Sequence, residues 1–297
     1  MDVLREARWN RLDVRPGSVA IALYFAGVAG LVYRIAYLDD WNAARWIALA
    51  GFSVTAVRDR VAPNTRSLVL GVIFFGVLSY AVTYLPDVWF SIAYKLNHAQ
   101  NYLWNANAWM RSLPGNDGRF VWSHRVQWFS DTMAWIYENG FDMVVWIPVV
   151  RSLIAFDARK MARYALSAHL IQFPLIMPFY TMFRVDEVWC VLGDPDRIGR
   201  GWSAEVARDL GANCFPSMHT SVAFAVMLVG LREKSGAYRR MMVVYATSII
   251  FSTVYMEVHW LVDVAGGLVL GWGSVKLVDA LLARIDGKHV PLGAEIA

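Results

Sequence analysis

Two short polar motifs, each at the edge of a long apolar segment, hold the residues whose types and spacing could do chemistry. The first, residues 213–221, reads NCFPSMHTS, and the second, residues 259–263, reads HWLVD. Because proline suits the first turn of a helix, Pro216 predicts a helix start with Ser217 and His219 in its first turn. The unpaired N–H groups and positive dipole end of such a turn favour a phosphate or another anion.

The second motif places Asp263 four residues after His259, which predicts that both side chains share one helical face. A carboxylate so placed can orient the imidazole and raise its basicity. An oriented His259 can attack phosphorus, and a protonated His219 can serve as general acid and then as base for water or an alcohol. Phosphoryl transfer needs a nucleophile, a proton donor and neutralised charge, so these residues favour that reaction.

Two other interpretations of these residues stay open on the sequence. The histidines could be polar contacts between membrane helices, where such side chains bond across the packing interface. His219, His259 and Asp263 could instead bind a metal ion. Full activity in excess chelator would argue against the metal.

The composition predicts an all-α, polytopic membrane protein with a single membrane domain over residues 1–297. The chain has 57% hydrophobic residues, 14 tryptophans and a mean hydropathy of +0.38, which argue against a soluble enzyme. Apolar runs predict about eight spans, at residues 18–38, 43–57, 67–85, 141–156, 161–183, 216–231, 241–258 and 260–283.

The region between the third and fourth predicted spans mixes tryptophans with polar residues. We expect residues 87–140 to form two amphipathic helical pieces along the membrane surface, between N-terminal spans in 1–86 and a catalytic core in 141–283. This region could recognise a lipid substrate, or it could only cap the bundle.

Basic residues concentrate in the segments that lie inside if the amino terminus is cytoplasmic. These segments contain Arg5, Arg8, Arg11 and Arg15, the turns at 58–66, 159–163 and 232–240, and Arg284 with Lys288. The positive-inside rule therefore predicts both termini in the cytoplasm. Both motifs then lie at the outer face, which is periplasmic, extracellular or lumenal.

The two cysteines, Cys190 and Cys214, bracket the last outer loop. In an oxidising compartment they could form a disulfide, and free thiols are an equal expectation.

The wording of the motifs resembles a known family. Residues 215–219 (FPSMH), followed by 252–255 (STVY) and 259–263 (HWLVD), resemble the second and third signature motifs of the type 2 phosphatidic acid phosphatase superfamily. The wording is closer to the branch that includes inositol phosphorylceramide synthases, and the resemblance covers about residues 161–283. It implies a six-helix core and metal-independent chemistry through a phosphohistidine, with no cofactor.

The resemblance also implies roles for individual residues. His259 matches the nucleophile, Asp263 its orienting carboxylate, His219 the acid that protonates the leaving group, and Ser217 a phosphate ligand. The family's first motif, a lysine followed by Arg-Pro, is absent in that form, and Thr253 stands where the third motif usually has arginine. We therefore expect other basic residues to bind the phosphate, Arg184 first and then Arg197, Arg200 and Lys95.

The sequence thus predicts a membrane enzyme that hydrolyses or transfers the phosphate of a phosphorylated lipid at the outer face. The alternative enzyme is a headgroup transferase that moves a phosphorylated polar group onto a lipid acceptor. A transporter or lipid-binding scaffold is the alternative from another class, with a path lined by Arg34, Arg45, Arg151 and Lys276. No nucleic-acid signature is present, and the lipid tail, headgroup and oligomeric state stay open.

Overall fold

The computed structural model describes residues 15–99 and 102–285. The predictions that rest on Arg5, Arg8, Arg11 and Lys288 lie outside these residues. About 75% of the structure is helical, with a few short strands. The all-helical class that the composition predicts is therefore confirmed in outline.

The N-terminal part contains α1 (Ser18–Leu38), α2 (Ala43–Val54), a 3-10 turn (Thr55–Asp59) and α3 (Thr65–Ala99). Asn42 begins α2, since its side chain accepts a hydrogen bond from the N–H of Arg45. The sequence predicts that the third span breaks at Pro86. Instead α3 continues to Ala99, because a proline inside a helix removes one hydrogen bond without forcing the helix to end.

The tryptophan-rich region forms several short elements instead of two amphipathic pieces. They are β1 (Trp104–Asn105), α4 (Asn107–Ser112), α5 (Arg119–Trp122) and α6 (Gln127–Trp135). A π-helical turn (Ile136–Gly140) joins α6 to α7 (Phe141–Ile154).

The remaining elements form the C-terminal half. They are α8 (Ala158–Ala165), a π-helical turn (Leu166–Leu170), α9 (Gln172–Met182), β2 (Phe183–Arg184), α10 (Val188–Leu192), α11 (Ala204–Leu210), α12 (Met218–Gly230), α13 (Gly236–Tyr255) and α14 (Leu261–Ile285). The strand β2 pairs in parallel with β1, which ties the tryptophan-rich region to the segment that follows α9.

Three helical segments of the described chain are long and apolar enough to cross a membrane: Ser18–Leu38, Thr65–Leu85 and Leu261–Ile285. The other apolar runs form shorter or interrupted helices; α12, for example, has 13 residues. Membrane association therefore follows from the structure, whereas the count of eight spans and the six-helix core stay predictions.

Helix α12 lies at the centre of the core, and glycines let α14 pack closely against it. A Cβ atom on Gly267 would lie 2.7 Å from the Ser217 carbonyl oxygen, and one on Gly271 would lie 2.5 Å from the Ser221 carbonyl oxygen. Only glycine permits this approach. The packing brings the start of α12, which carries the first motif, beside the start of α14, which carries the second.

The arginines of the transporter alternative take part in packing contacts. The fully buried Arg151 guanidinium pairs with Asp59 and, at 3.2 Å, with Glu233. Arg45 pairs with Asp142 at 3.0 Å. Arg45 and Arg151, two of the four basic residues of the transporter alternative, therefore have a structural role as members of ion pairs.

Candidate active site

The second motif lies in the turn between α13 and the start of α14. His259 lies in the turn itself, so the expectation that it shares a helical face with Asp263 is wrong in detail. The two side chains still meet, because Asp263 in the first turn of α14 reaches back: His259 Nδ1 lies 3.5 Å from Asp263 Oδ2. The same carboxylate oxygen accepts the Trp260 N–H at 2.9 Å. Both side chains are buried. Because Nδ1 of His259 faces the carboxylate, Nε2 is the ring nitrogen that points away from Asp263.

The first motif begins α12. Ser217 is the residue that caps the helix, and its hydroxyl accepts the N–H of Thr220 at 3.2 Å. Pro216 therefore lies just before the helix and not in its first turn, where His219 lies as expected. The Ser217 N–H donates to the Asp263 carbonyl oxygen at 3.0 Å. This bond joins the two motifs through the backbone.

The two histidines of the motifs face each other. The ring centroids of His219 and His259 are 5.9 Å apart. Tyr137 stacks on His219 at 4.3 Å between ring centroids, and Phe141 contacts it at 4.0 Å. Reasoning from the sequence missed both aromatic residues. They belong to a region rich in aromatic side chains, so composition alone gives no signal that separates these two from the rest.

Arg200 lies in the segment between α10 and α11 and carries a fixed positive charge. It pairs with Glu187 and with Asp196, each at 3.0 Å, and its guanidinium lies 3.8 Å from the ring centroid of Trp202. Burial acts to lower the pKa of Arg200, but the hydrogen bonds to the two carboxylates outweigh it and raise the pKa above its usual value.

Arg184 is linked to the second motif through Asp186. It makes a bidentate pair with Asp186, with its Nε 3.0 Å from Asp186 Oδ1. The Asp186 carbonyl in turn accepts the indole N–H of Trp260 at 3.0 Å, next to His259. Arg184 therefore borders the motif, with its charge compensated by a carboxylate.

Lys95 is exposed near the end of α3. Among the described residues, no contact joins it to either histidine. The structure thus places Arg184 at the border of the motif residues, whereas among the described contacts neither Arg200 nor Lys95 touches them.

Two arginines bind the carboxylate of Glu257, which lies two residues before His259 in the chain. The fully buried Glu257 binds Arg125 and, at 3.1 Å, Arg197. Its carbonyl accepts the N–H of Trp189 at 3.0 Å. Reasoning from the sequence named Arg197 among the candidate phosphate ligands of the outer loops but missed Glu257. An acidic residue in an apolar segment does not by itself indicate which basic residue pairs with it.

Asn116 holds the start of α14, in the Pro-Gly-Asn-Asp-Gly turn at 114–118. Its side-chain oxygen accepts the N–H of Val262, and its carbonyl accepts the N–H of Leu261, both at 2.9 Å. These bonds satisfy two of the N–H groups that a helix start leaves unpaired. The tryptophan-rich region therefore supports the second motif directly.

Both cysteines are free thiols, which answers the choice between a disulfide and thiols. Cys214 is buried, and its sulfur lies with donor atoms of His259 and Asp263 in a group whose atoms are all within 4.8 Å of one another. The metal alternative from the sequence used His219. In the structure Cys214 takes the place of His219 in this group. The Cys214 side chain turns toward Val258, and its S–H donates to the Val258 carbonyl oxygen.

Comparison with known families gives one match. Residues 179–284 match the family model described as the PAP2 superfamily. Members of this superfamily are phosphatases or phosphotransferases, often acting on lipids. The matched range covers less than half of the chain and contains both motifs, Arg184 and Arg200. No curated protein and no solved structure matches the chain.

Proposed function

We propose that this protein is a lipid phosphatase or phosphotransferase that acts on a phosphorylated lipid at the outer membrane face through a phosphohistidine. The observation that carries the proposal is the buried His259–Asp263 pair, with His219 facing it at 5.9 Å between ring centroids. The nucleophile, its orienting carboxylate and the proton donor that phosphoryl transfer requires then lie within the same small volume.

In the first step, Nε2 of His259 attacks the phosphorus atom, so a P–N bond forms as the P–O bond to the leaving group breaks. The Asp263 carboxylate orients the ring through Nδ1 and stabilises the positive charge that the imidazole gains. His219 donates its proton to the leaving oxygen. In the second step, His219 takes a proton from the incoming hydroxyl, the new P–O bond forms, and the P–N bond breaks.

Arg200 and Arg184 are the two candidate phosphate ligands. Arg200 would have to leave Glu187 or Asp196 to bind phosphate, and Arg184 would have to leave Asp186, whose backbone contacts Trp260 beside His259. The hydroxyl of Ser217 lies at the start of the helix that carries His219. Lys95 ranks last, because no described contact brings it near.

A headgroup transferase is the second candidate, and the burial of the site favours it. His259 is 4% exposed, and the rings of Tyr137 and Phe141 cover His219. A site that excludes water gives a bound alcohol the advantage over water as acceptor. The resemblance of the motif wording to inositol phosphorylceramide synthases supports the same candidate.

The test is phosphate release from lipid phosphates and prenyl diphosphates by the purified protein, with lipid products followed by mass spectrometry. We expect His259→Ala and His219→Ala each to lower turnover by about 10²-fold or more. The matched control is His124→Ala, since His124 is exposed and bonds only Ser123 among the described residues.

The outcomes separate the two candidates. Phosphate release that both site variants abolish supports the phosphatase. Conversion of added lipid alcohols without phosphate release supports the transferase. Turnover that survives both substitutions would contradict the phosphohistidine, and activity lost in excess chelator would favour the metal group of Cys214, His259 and Asp263.

A further inference from the structure

Two arginines share a single carboxylate beside the second motif. The guanidinium groups of Arg125 and Arg197 both donate to the same oxygen, Oε1, of the buried Glu257, with the Nε of Arg197 at 3.1 Å. Asp194 makes no ion pair with either arginine among the described contacts. The three residues Arg125, Arg197 and Glu257, which we call the arginine clamp, therefore contain two positive charges and one negative charge.

The other arginines near the motifs have no such excess of positive charge. Arg184 pairs with one carboxylate, that of Asp186. Arg200 pairs with two, those of Glu187 and Asp196. Of these three groups, only the clamp has a net positive charge, so an anion gains most by binding there.

Two buried polar atoms of the clamp have no hydrogen-bond partner among the described residues. They are the Nε of Arg125, a donor, and the Oε2 of Glu257, an acceptor. A buried polar atom without a partner costs free energy, so a ligand that supplies partners would stabilise the clamp. The Arg197 side chain is 35% exposed, which leaves the clamp open to a ligand on one side.

The clamp lies at the edge of the candidate active site. Glu257 is two residues before His259, and two residues of chain span at most about 7 Å. Val258, which lies between them, belongs to the same buried cluster as Tyr137, and Tyr137 stacks on His219. A ligand bound at the clamp therefore lies next to the turn that carries His259.

An apolar groove borders the clamp. It has a volume of about 370 Å³, and its described lining consists of Val121, Thr247, Ile250, Phe251, Val254 and Leu261. Residues 247, 250, 251 and 254 form one stripe of α13 that rises about 10 Å toward the second motif. Phe251 stacks on Tyr255 at 5.8 Å between ring centroids, and the Arg125 guanidinium lies 5.0 Å from the Tyr255 ring. We call this surface the α13 groove.

We propose that the arginine clamp binds the phosphorylated headgroup of the lipid substrate and that the α13 groove holds part of its apolar chain. This inference rests on the proposed function, because it takes the bound lipid to be the substrate. A soluble phosphate ester would leave the groove unfilled, and an uncharged lipid would leave the excess positive charge unmatched. The substrate class is therefore a lipid whose headgroup has a net negative charge, in preference to a zwitterionic lipid.

The test measures lipid retention by native mass spectrometry on the full chain in detergent. The protein has the substitution His259→Ala, so that bound lipid is not consumed. The probes are phosphatidic acid and phosphatidylcholine with the same acyl chains, and we expect phosphatidic acid to be retained preferentially. Adding Arg197→Gln should lower that retention by about tenfold, because charge-assisted bonds are lost while Arg125 still pairs with Glu257.

Two further variants separate the charge of the clamp from its structural role. Arg197→Lys should restore part of the retention, because it restores the positive charge. The matched control is Arg208→Gln, since Arg208 is an exposed arginine in the last turn of α11, outside the clamp. We expect this control to retain phosphatidic acid as the parent protein does.

A variant of the groove tests its part of the proposal without changing any charge. Thr247 is exposed and lines the groove, so Thr247→Trp should fill it and lower phosphatidic acid retention by a similar factor. Val244→Trp is the control, because Val244 is exposed on the same helix outside the groove lining. Thermal unfolding followed by circular dichroism establishes that each variant is folded.

The outcomes distinguish this inference from the proposed function. Equal retention of phosphatidic acid with and without Arg197→Gln, or equal retention of the two lipids, would overturn the clamp. Unchanged retention in Thr247→Trp would overturn the assignment of the chain to the groove. Charge-dependent retention by a protein whose wild type turns over no lipid would support the clamp as a lipid site and contradict only the proposed function.

Discussion

Asp263 makes two contacts that fix the geometry of the second motif, one with the imidazole of His259 and one with the N–H of Trp260. We predict that Asp263→Asn lowers turnover by about 10²-fold or more, because an amide cannot stabilise the imidazolium that forms on attack. The amide oxygen can still accept the Trp260 N–H, so the fold should persist.

The measurement for this substitution is turnover together with the unfolding temperature. Asp131→Asn is the control, since Asp131 is exposed and only accepts a bond from Gln127, at 2.8 Å, among the described contacts. Full turnover in Asp263→Asn would remove the carboxylate from the mechanism.

Asp196 leads to a prediction about how the stability of the protein depends on pH. Burial acts to raise the pKa of Asp196, but hydrogen bonds from Arg200 outweigh it and hold the pKa below its usual value. A carboxyl whose pKa is lowered by folding stabilises the protein above its unfolded pKa of about 4, and this stabilisation is lost as the pH falls through the folded pKa.

We therefore expect wild type to unfold at a higher temperature than Asp196→Asn by a constant margin above about pH 5, and the margin to shrink toward about pH 3. Thermal unfolding followed by tryptophan fluorescence across this range measures it. A margin that grows on acidification would contradict the assigned direction of the pKa shift.

At the scale of elements, the contact between α12 and α14 positions the two motifs. We predict that Gly271→Ala destabilises the protein by about 1–3 kcal/mol, because the new Cβ would lie 2.5 Å from the Ser221 carbonyl oxygen and the helices must separate. Turnover should fall with stability, since separation moves Asp263 away from Ser217.

The control for this contact is Gly273→Ala on the same helix. A Cβ on Gly273 would have nothing within 4 Å, and alanine favours a helix more than glycine does. We expect its unfolding temperature to be unchanged or slightly raised. Equal effects of the two substitutions would mean that the close approach of α12 and α14 does not limit stability.

At the scale of the whole molecule, the proposed orientation predicts which surface faces outward. The exposed Arg119 lies beside the turn that supports α14, and the exposed Arg240 lies near the start of α13, at the opposite end of this helix from the second motif. In a variant without native cysteines, we predict that Arg119→Cys reacts with an impermeant maleimide in intact cells. Arg240→Cys should react only after the membrane is opened. The reverse pattern would invert the topology and place the candidate site inside.

The sequence by itself determined the chemical groups, the apolar segments and the local contacts. His259 and Asp263 meet because four residues of chain keep them close in either a helix or a turn, and His219 lies in the first turn of α12 because residues 216–219 favour a helix start. Local geometry depends on few residues, so spacing in the chain was enough to predict it.

Only the tertiary structure decided which distant residues join these groups. Sequence ranked Arg184 above Arg200 as phosphate ligand, whereas folding pairs both with carboxylates, Arg184 with Asp186 and Arg200 with Glu187 and Asp196. It also stacks Tyr137 on His219 and brings Cys214 into the group with His259 and Asp263. These contacts join segments far apart in the chain, and their partners depend on how whole helices pack, which no local pattern of residues encodes.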